Sequence, residues 1–312
     1  MPFVDLHCDT IMGLMDKDDT ECLASNSLNV DIKKLKAGNS LVQFFALFID
    51  MEEHENVLEY CLRMADRFHR EIECNKQDIE VALKYEDIIT NIANGKISAF
   101  LTIEEGGSLK GDLSNLRNFY RLGVRLLTLT WNYPNELGFP NCREEYSTLG
   151  ITSFGEQVVN EMNRLGMIID VSHLSDQGFY DVARLSSKPF VASHSNARQI
   201  TNHSRNLTDD MIKALADKGG VMGINFARDF LGSQDISRVE DMIRHIKHIY
   251  KVGGIDVLAV GSDFDGISPE LEIQDFSEMG KLVSALESHN FSTEDIDKIC
   301  FKNALRVIKD CL

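Results

Sequence analysis

Phe3-Val-Asp-Leu-His-Cys-Asp-Thr10 reads as a short strand ending in His7-x-Asp9. Side chains on a strand alternate faces, so His7 and Asp9 point one way and Cys8 the other. An imidazole and a carboxylate two residues apart are a ligand pair for one divalent metal. His-x-Asp also arises by chance, so its meaning rests on whether later strands end in matching residues. Strand character recurs at 3–8, 41–49, 97–104, 124–131, 167–172, 189–193, 220–226 and 257–261. Most of these segments are dense in Val, Ile, Leu and Phe with little alternation, the pattern of strands buried on both faces.

Helical periodicity fills most of the gaps. Val57, Leu58, Cys61, Leu62, Ala65, Phe68 and Ile72 recur at spacings of three and four. Thr208 is placed to cap a helix through Met211, Ile212 and Leu215, which Gly219-Gly220 ends. Ile243, Ile246 and Ile249 form another face, and Ser292 to Asp295 resembles a capping box before Ile296 and Ile299. Eight βα units in 312 residues predict one (β/α)₈ TIM barrel spanning 1–312, with its active site at the C-terminal ends of the strands. A doubly wound sheet is the rival. The longest irregular segment, 132–152, carries Pro134, Gly138, Pro140 and Gly150 and is expected to wall the pocket.

The formal charge of -17 argues against nucleic acid and anionic membrane as partners. Seven cysteines, an odd number with no C-x-x-C pair, fit a reducing compartment better than a disulfide framework. With no basic, apolar leader and no apolar run near 18 residues, the expectation is a cytoplasmic protein.

Residues that bind metal sit where a barrel needs them. The segment Ala99-Phe-Leu-Thr-Ile-Glu-Glu-Gly-Gly107 ends in Glu104 and Glu105, of which strand alternation lets only one face the axis. Ile168-Ile-Asp-Val-Ser-His173 and Phe190-Val-Ala-Ser-His194 each place a histidine just past an apolar strand. Val260-Gly-Ser-Asp-Phe-Asp-Gly266 supplies Asp263 and Asp265, and an Asp-Gly turn explains the second without chemistry. Imidazole with carboxylate suits Zn²⁺, with Mn²⁺ or Co²⁺ as alternatives. The surplus of ligands over three points to two metals sharing a carboxylate.

The chain resembles the membrane (renal) dipeptidase family of metallopeptidases, a branch of the amidohydrolase-like barrels. The matching motifs are Asp5-Leu-His-Cys-Asp-Thr10, Glu105-Gly-Gly107, Leu116-Arg-x-x-Tyr-x-Leu-Gly-x-Arg-x-Leu-Thr-Leu-Thr130, Ile169-Asp-Val-Ser-His173, Ser193-His-Ser195, Ser204-Arg-Asn206, Gly261-Ser-Asp-Phe-Asp-Gly266 and Asn303-Ala-Leu-Arg-Val307. The resemblance implies His7 and Asp9 on one zinc, His173 and His194 on the other, and Glu105 bridging them. It implies Asp263 as proton acceptor, Arg205 as substrate anchor, a dipeptide as substrate and a homodimer. Relatives carry His directly after Leu-Thr-Leu-Thr, where this chain has Trp131 and then Asn132, and mammalian relatives carry His where it has Ser108. Trp131 and Asn132 are therefore expected to contact substrate in a changed way. The implied reaction is dipeptide hydrolysis by a metal-bridging hydroxide, tolerant of a D-residue at the C-terminal position. Other amidohydrolase-type hydrolases commonly show His-x-His on the first strand, which His7-x-Asp9 disfavours. A catalytically inactive barrel acting as a binding protein is the other alternative, and the full ligand set weighs against it.

Overall fold

The computed structural model describes residues 1–15, 17 and 21–312. Its strands are β1 (Phe3–Cys8), β2 (Ser40–Phe48), β3 (Ile79–Val81), β4 (Ile97–Glu104), β5 (Val124–Thr128), β6 (Ile168–Asp170), β7 (Val191–Ala192), β8 (Val221–Ile224) and β9 (Leu258–Val260). All pair in parallel, and β1 joins β9 on one side and β2 on the other. With β2 paired to β4, eight strands close into a (β/α)₈ barrel, and the doubly wound alternative is excluded.

The ninth strand, β3, is not expected from the sequence. It pairs with the lower half of β4, Ile79 to Ile97 and Val81 to Ala99, on the edge that β5 takes over from Leu101 upward. At three residues it is too short to show a period. Several predicted strands run shorter than expected, because their last residues leave the ladder to build the mouth of the barrel.

The helices begin and stop where side chains satisfy their ends. Thr208 Oγ1 accepts the Met211 amide at 3.2 Å, and Thr152 Oγ1 accepts that of Gly155 at 3.0 Å. Ser292 and Asp295 form the reciprocal capping box that their spacing suggests. Among the described residues, no helix is long and apolar enough to cross a membrane.

The barrel interior is layered. Val4, Val42, Phe44, Phe100, Leu126, Ile168, Val191, Val221 and Ala259 meet in one buried cluster with the C-terminal helix Asn303–Cys311. Thr128, Asp170 and Ser193 form a polar layer two residues further along their strands. Gly223 and Gly261 lie beside it because a Cβ on either would fall 2.0 or 1.8 Å from the Ser193 carbonyl oxygen. The candidate site sits above this layer. On β1, a register shift against β2 between Asp5 and Cys8 changes which residues face the axis. Val4 joins the lower cluster, His7 reaches the site, and Cys8 faces the outer core with its thiol donating to the Phe44 carbonyl.

Candidate metal centre

Five side chains from four strand ends converge on one carboxylate, and that carboxylate belongs to Glu104. Its Oε2 lies 3.1 Å from His7 Nε2. Its Oε1 lies 2.9 Å from His173 Nε2 and 3.6 Å from His194 Nε2. His7 Nε2 is also approached by Asp9 Oδ2 at 3.4 Å and by Asp263 Oδ1 at 3.8 Å. The ligand atoms of His7, Asp9 and Glu104 lie within 4.8 Å of one another, as do those of Glu104, His173 and His194. One carboxylate thus turns an oxygen to each of two ligand groups.

This corrects the expectation at the end of β4. The resemblance assigns the bridge to Glu105, yet the structure turns that side chain away. Glu104 continues the inward face of Phe100 and Thr102, whereas Glu105 leaves the strand at φ +113°. The Glu105 carboxylate accepts from the Gly107 amide at 2.6 Å, the Trp131 amide at 2.9 Å and the Asn135 side chain. It ties the turn after β4 to the loop after β5. Burial pushes its pKa up to about 7 against those hydrogen bonds. The other four expected ligands, His7, Asp9, His173 and His194, do come together.

The donor set fits a divalent cation, as the hydrogen bonds around the two upper histidines show. Asp170 is fully buried and accepts from Thr128 Oγ1 at 2.7 Å and from Ser193 Oγ at 2.6 Å. Having donated to Asp170, Ser193 Oγ accepts from His194 Nδ1 at 2.7 Å, so the His194 proton sits on Nδ1. His173 Nδ1 likewise faces the side-chain Oδ1 of Asn132 at 3.3 Å. Both Nε2 lone pairs then face each other at 3.2 Å, an arrangement that calls for a cation. Burial, aided by Arg205, lowers the His173 pKa to about 4, and burial with His7 nearby holds His194 well below its usual value. Neutral imidazoles are what a metal requires. Around His7 the field is anionic: burial alone would depress its pKa, but Glu104 and Asp9 raise it well above 6.5. Neither ring nitrogen of His7 nor Asp9 Oδ1 makes a hydrogen bond among the described residues.

Two aspartates complete the mouth. Asp263 adopts φ +62° and accepts from Asn225 Nδ2 at 2.7 Å. Burial pushes its pKa up to about 7, opposed by His7 and reinforced by Asp9 and Glu104. Asp265 instead accepts from Thr10 Oγ1 at 2.6 Å and from the Asn29 amide at 2.5 Å, pinning the chain beyond β1. Close by, Gly266 presses on the site, and a Cβ there would stand 2.0 Å from Asp9 Oδ2.

A cavity of about 570 Å³ opens over the centre. Trp131, Asn132 and Cys142, from the end of β5 and the 132–152 loop, line it with Phe48, Arg205 and Phe230. The Trp131 ring packs against Phe48 at 4.7 Å and lies 6.3 Å from the His173 ring. The Arg205 guanidinium is buried against the backs of the loops that carry His173 and His194, donating to the Ser172 carbonyl and, at 3.2 Å, to that of His194. Its Nε has no partner among the described residues. Sequence reasoning left Glu104 open beside Glu105, which the resemblance favoured, and missed Asp170. On β4, Ala99, Leu101 and Ile103 form an unbroken apolar face, while Ser98, Thr102 and Glu104 share the other, and that contrast marks Glu104 as the inward residue. An aspartate inside the apolar run of β6 was the signal for Asp170.

A closed (β/α)₈ barrel carrying a histidine–carboxylate cluster at its C-terminal mouth defines a barrel of the metal-dependent hydrolase type. The chain belongs to the membrane dipeptidase family, peptidase family M19, whose model matches residues 1–311, and it is a metallodipeptidase. An uncharacterized dipeptidase of Schizosaccharomyces pombe is 32% identical over 305 residues, covering 90% of this chain and 72% of the relative. Dipeptidase tcpJ of Claviceps purpurea is 30% identical over 295 residues, covering 90% and 69%. Among solved structures, a family M19 metallopeptidase named dipeptidase AC superposes with a TM-score of 0.92 at 28% identity, covering 100% of this chain and 98% of its own. A metallopeptidase from Rhodobacter sphaeroides, liganded with a phosphinate mimic of the dipeptide L-Ala-D-Ala, does so with a TM-score of 0.90 at 26% identity, covering 100% and 99%.

Proposed function

We propose that residues 1–312 form one catalytic unit that hydrolyses dipeptides at two divalent metals, most simply Zn²⁺, and accepts a D-residue at the C-terminal position. His7 and Asp9 would hold one metal, His173 and His194 the other, with Glu104 shared. The observation that carries the reading is the division of the two Glu104 oxygens between the two ligand groups, 3.1 Å from His7 and 2.9 Å from His173. When bound, such ions acidify water and polarise a carbonyl. The D-residue tolerance is supported by the L-Ala-D-Ala mimic held by the Rhodobacter relative.

The chain's own residues supply the rest. Asp263 faces the cavity, and a carboxyl group with a pKa of about 7 is suited to take a proton from the attacking water and return it to the departing amine. Arg205 reads the substrate's free carboxylate, a role that suits a planar guanidinium better than an ammonium. Trp131 forms an apolar wall beside His173. Its indole donates one hydrogen bond and does not titrate near neutrality, so it takes no part in proton transfer.

Asp263→Asn tests the assignment. Activity on a dipeptide should fall about 10²–10⁴-fold while metal content and melting temperature stay near wild type. A variant retaining full activity would remove Asp263 from proton transfer. Amidating the substrate's C-terminus should cut kcat/KM sharply if Arg205 is the anchor.

A further inference from the structure

We propose that His203 is a second specificity-determining residue, whose Nε2–H donates to the dipeptide's free carboxylate beside Arg205. This role rests on the dipeptidase reading above and falls to a residue that no motif of the sequence marked.

Charge sets the requirement. Six carboxylates line the cavity, from Asp9, Asp50, Glu53, Glu104, Asp263 and Asp265, and Arg205 is the one arginine or lysine among the lining residues. Away from the metal centre, a substrate carboxylate therefore has one favourable corner among the lining side chains. In that corner the Arg205 guanidinium already donates to two backbone carbonyls, those of Ser172 and His194. A carboxylate has two oxygens with about four acceptor sites, more than the remaining edge of one guanidinium satisfies. A second donor is needed.

His203 is the group that supplies it. Its Nδ1 accepts the Arg205 backbone amide at 3.1 Å. A backbone N–H only donates, so Nδ1 carries the lone pair and the proton of the neutral ring lies on Nε2. Burial, with Arg205 and Arg198 nearby, lowers the His203 pKa, which favours this neutral form. His203 lines the cavity, and its Nε2 has no hydrogen-bond partner among the described residues. Phe230 fixes the arrangement: the His203 ring packs on it at 4.7 Å, and the Arg205 guanidinium carbon lies 5.3 Å from its centroid. Phe230 has no donor of its own but excludes water from the corner, which strengthens a hydrogen bond made there.

The two amide replacements separate the ring's two functions. Asparagine keeps an acceptor near the Nδ1 position for the Arg205 amide and removes the Nε2 donor. Glutamine places an amide N–H near Nε2. Wild type, His203→Asn and His203→Gln, metal-loaded, are assayed on one hydrophobic dipeptide and on its C-terminal amide. Inhibition by the product amino acid and by its amide is measured alongside. His203→Asn should raise KM and the product inhibition constant for the free acid about ten- to hundredfold, the span of a hydrogen bond to a charged group. Its kcat should change little and the amide kinetics not at all, and His203→Gln should recover most of the loss. Equal losses on acid and amide would show a merely structural role, and an unchanged KM for the acid would show no role. Either overturns the proposal in an enzyme that still discriminates acid from amide. Wild-type enzyme that fails to discriminate them would instead overturn the carboxylate-anchor reading itself, and His203 with it.

Discussion

Replacing Glu104 and Glu105 in turn by glutamine asks which of two adjacent carboxylates organises the centre. Glu104 places its carboxylate oxygens 3.1, 2.9 and 3.6 Å from three imidazole nitrogens, and among the described residues no backbone amide donates to that carboxylate. Glutamine there keeps the shape but loses the charge and one acceptor oxygen. Removing an outer-shell partner of a ligand typically weakens metal binding about 10–100-fold, and a ligand shared by two ions should cost at least about 10² at each. Glu105 tells the opposite story. Its Oε1 accepts from Gly107 and Asn135 and its Oε2 from Trp131. A glutamine amide satisfies one side and turns an N–H toward the donor on the other. One buried donor left unsatisfied costs about 1–3 kcal/mol. For a chain of this size that lowers the melting temperature by several degrees.

Metal content is therefore the readout that separates the two variants. Elemental analysis after reconstitution and desalting should show Glu104→Gln depleted of metal and Glu105→Gln near wild type. Thermal unfolding of the metal-free proteins should show Glu105→Gln clearly destabilised. Glu104→Gln should lose stability as well, because, against burial, His7 with His173 and His194 holds the Glu104 carboxyl well below the usual carboxylate range. If Glu105→Gln lost the metals while Glu104→Gln kept them, the assignment of the shared ligand would be wrong.

Asp170→Asn should weaken metal binding about 10–100-fold, measured by competition with a chelating dye, because Ser193 then no longer fixes the His194 proton on Nδ1. Gly266→Ala should lose metal from the His7–Asp9 side first, since the new methyl group would occupy the position of the Asp9 carboxylate. His245 accepts the Ala197 amide at 3.0 Å, faces the Leu231 carbonyl at 3.2 Å, and is lowered by burial to about 4. The unfolded chain binds this proton near pH 6.5 and the folded one only near 4, so stability should fall as pH drops through that window, by up to about 3 kcal/mol. Urea unfolding of wild type and His245→Gln between pH 7 and 4.5 measures the difference in slope.

The barrel was legible because burial on both faces leaves a parallel strand little choice of composition, and eight such segments separated by helical periods admit few closures. The strand ends were legible for the same reason, since His7, His173, His194 and Asp263 each come after an apolar run that has no use for a polar residue. β3 was not legible, because its three residues are held by the edge of β4 rather than by a pattern of their own. His203 was not legible either. Its role comes from a fold-back of two residues onto the Arg205 amide and from Phe230, which lies far along the chain.

The one wrong ligand shows how two sound rules come apart. Counting back from Gly106-Gly107 favours Glu105, since the glycines fix a turn and the motif is read relative to that turn. Counting forward along β4 favours Glu104, since Ser98, Phe100 and Thr102 set the inward face and the ladder with β2 runs unbroken from Val42–Ser98 to Phe48–Glu104. A ladder without a bulge transmits its parity to the last paired residue. The positive φ at Glu105 begins only after that residue, so the turn reorients the chain beyond β4 and leaves Glu104 as the ladder set it. Strand parity therefore decides which carboxylate enters the barrel. The turn decides what the other one does, and here it ties down Trp131, in the wall of the cavity, and Asn135 in the loop after β5.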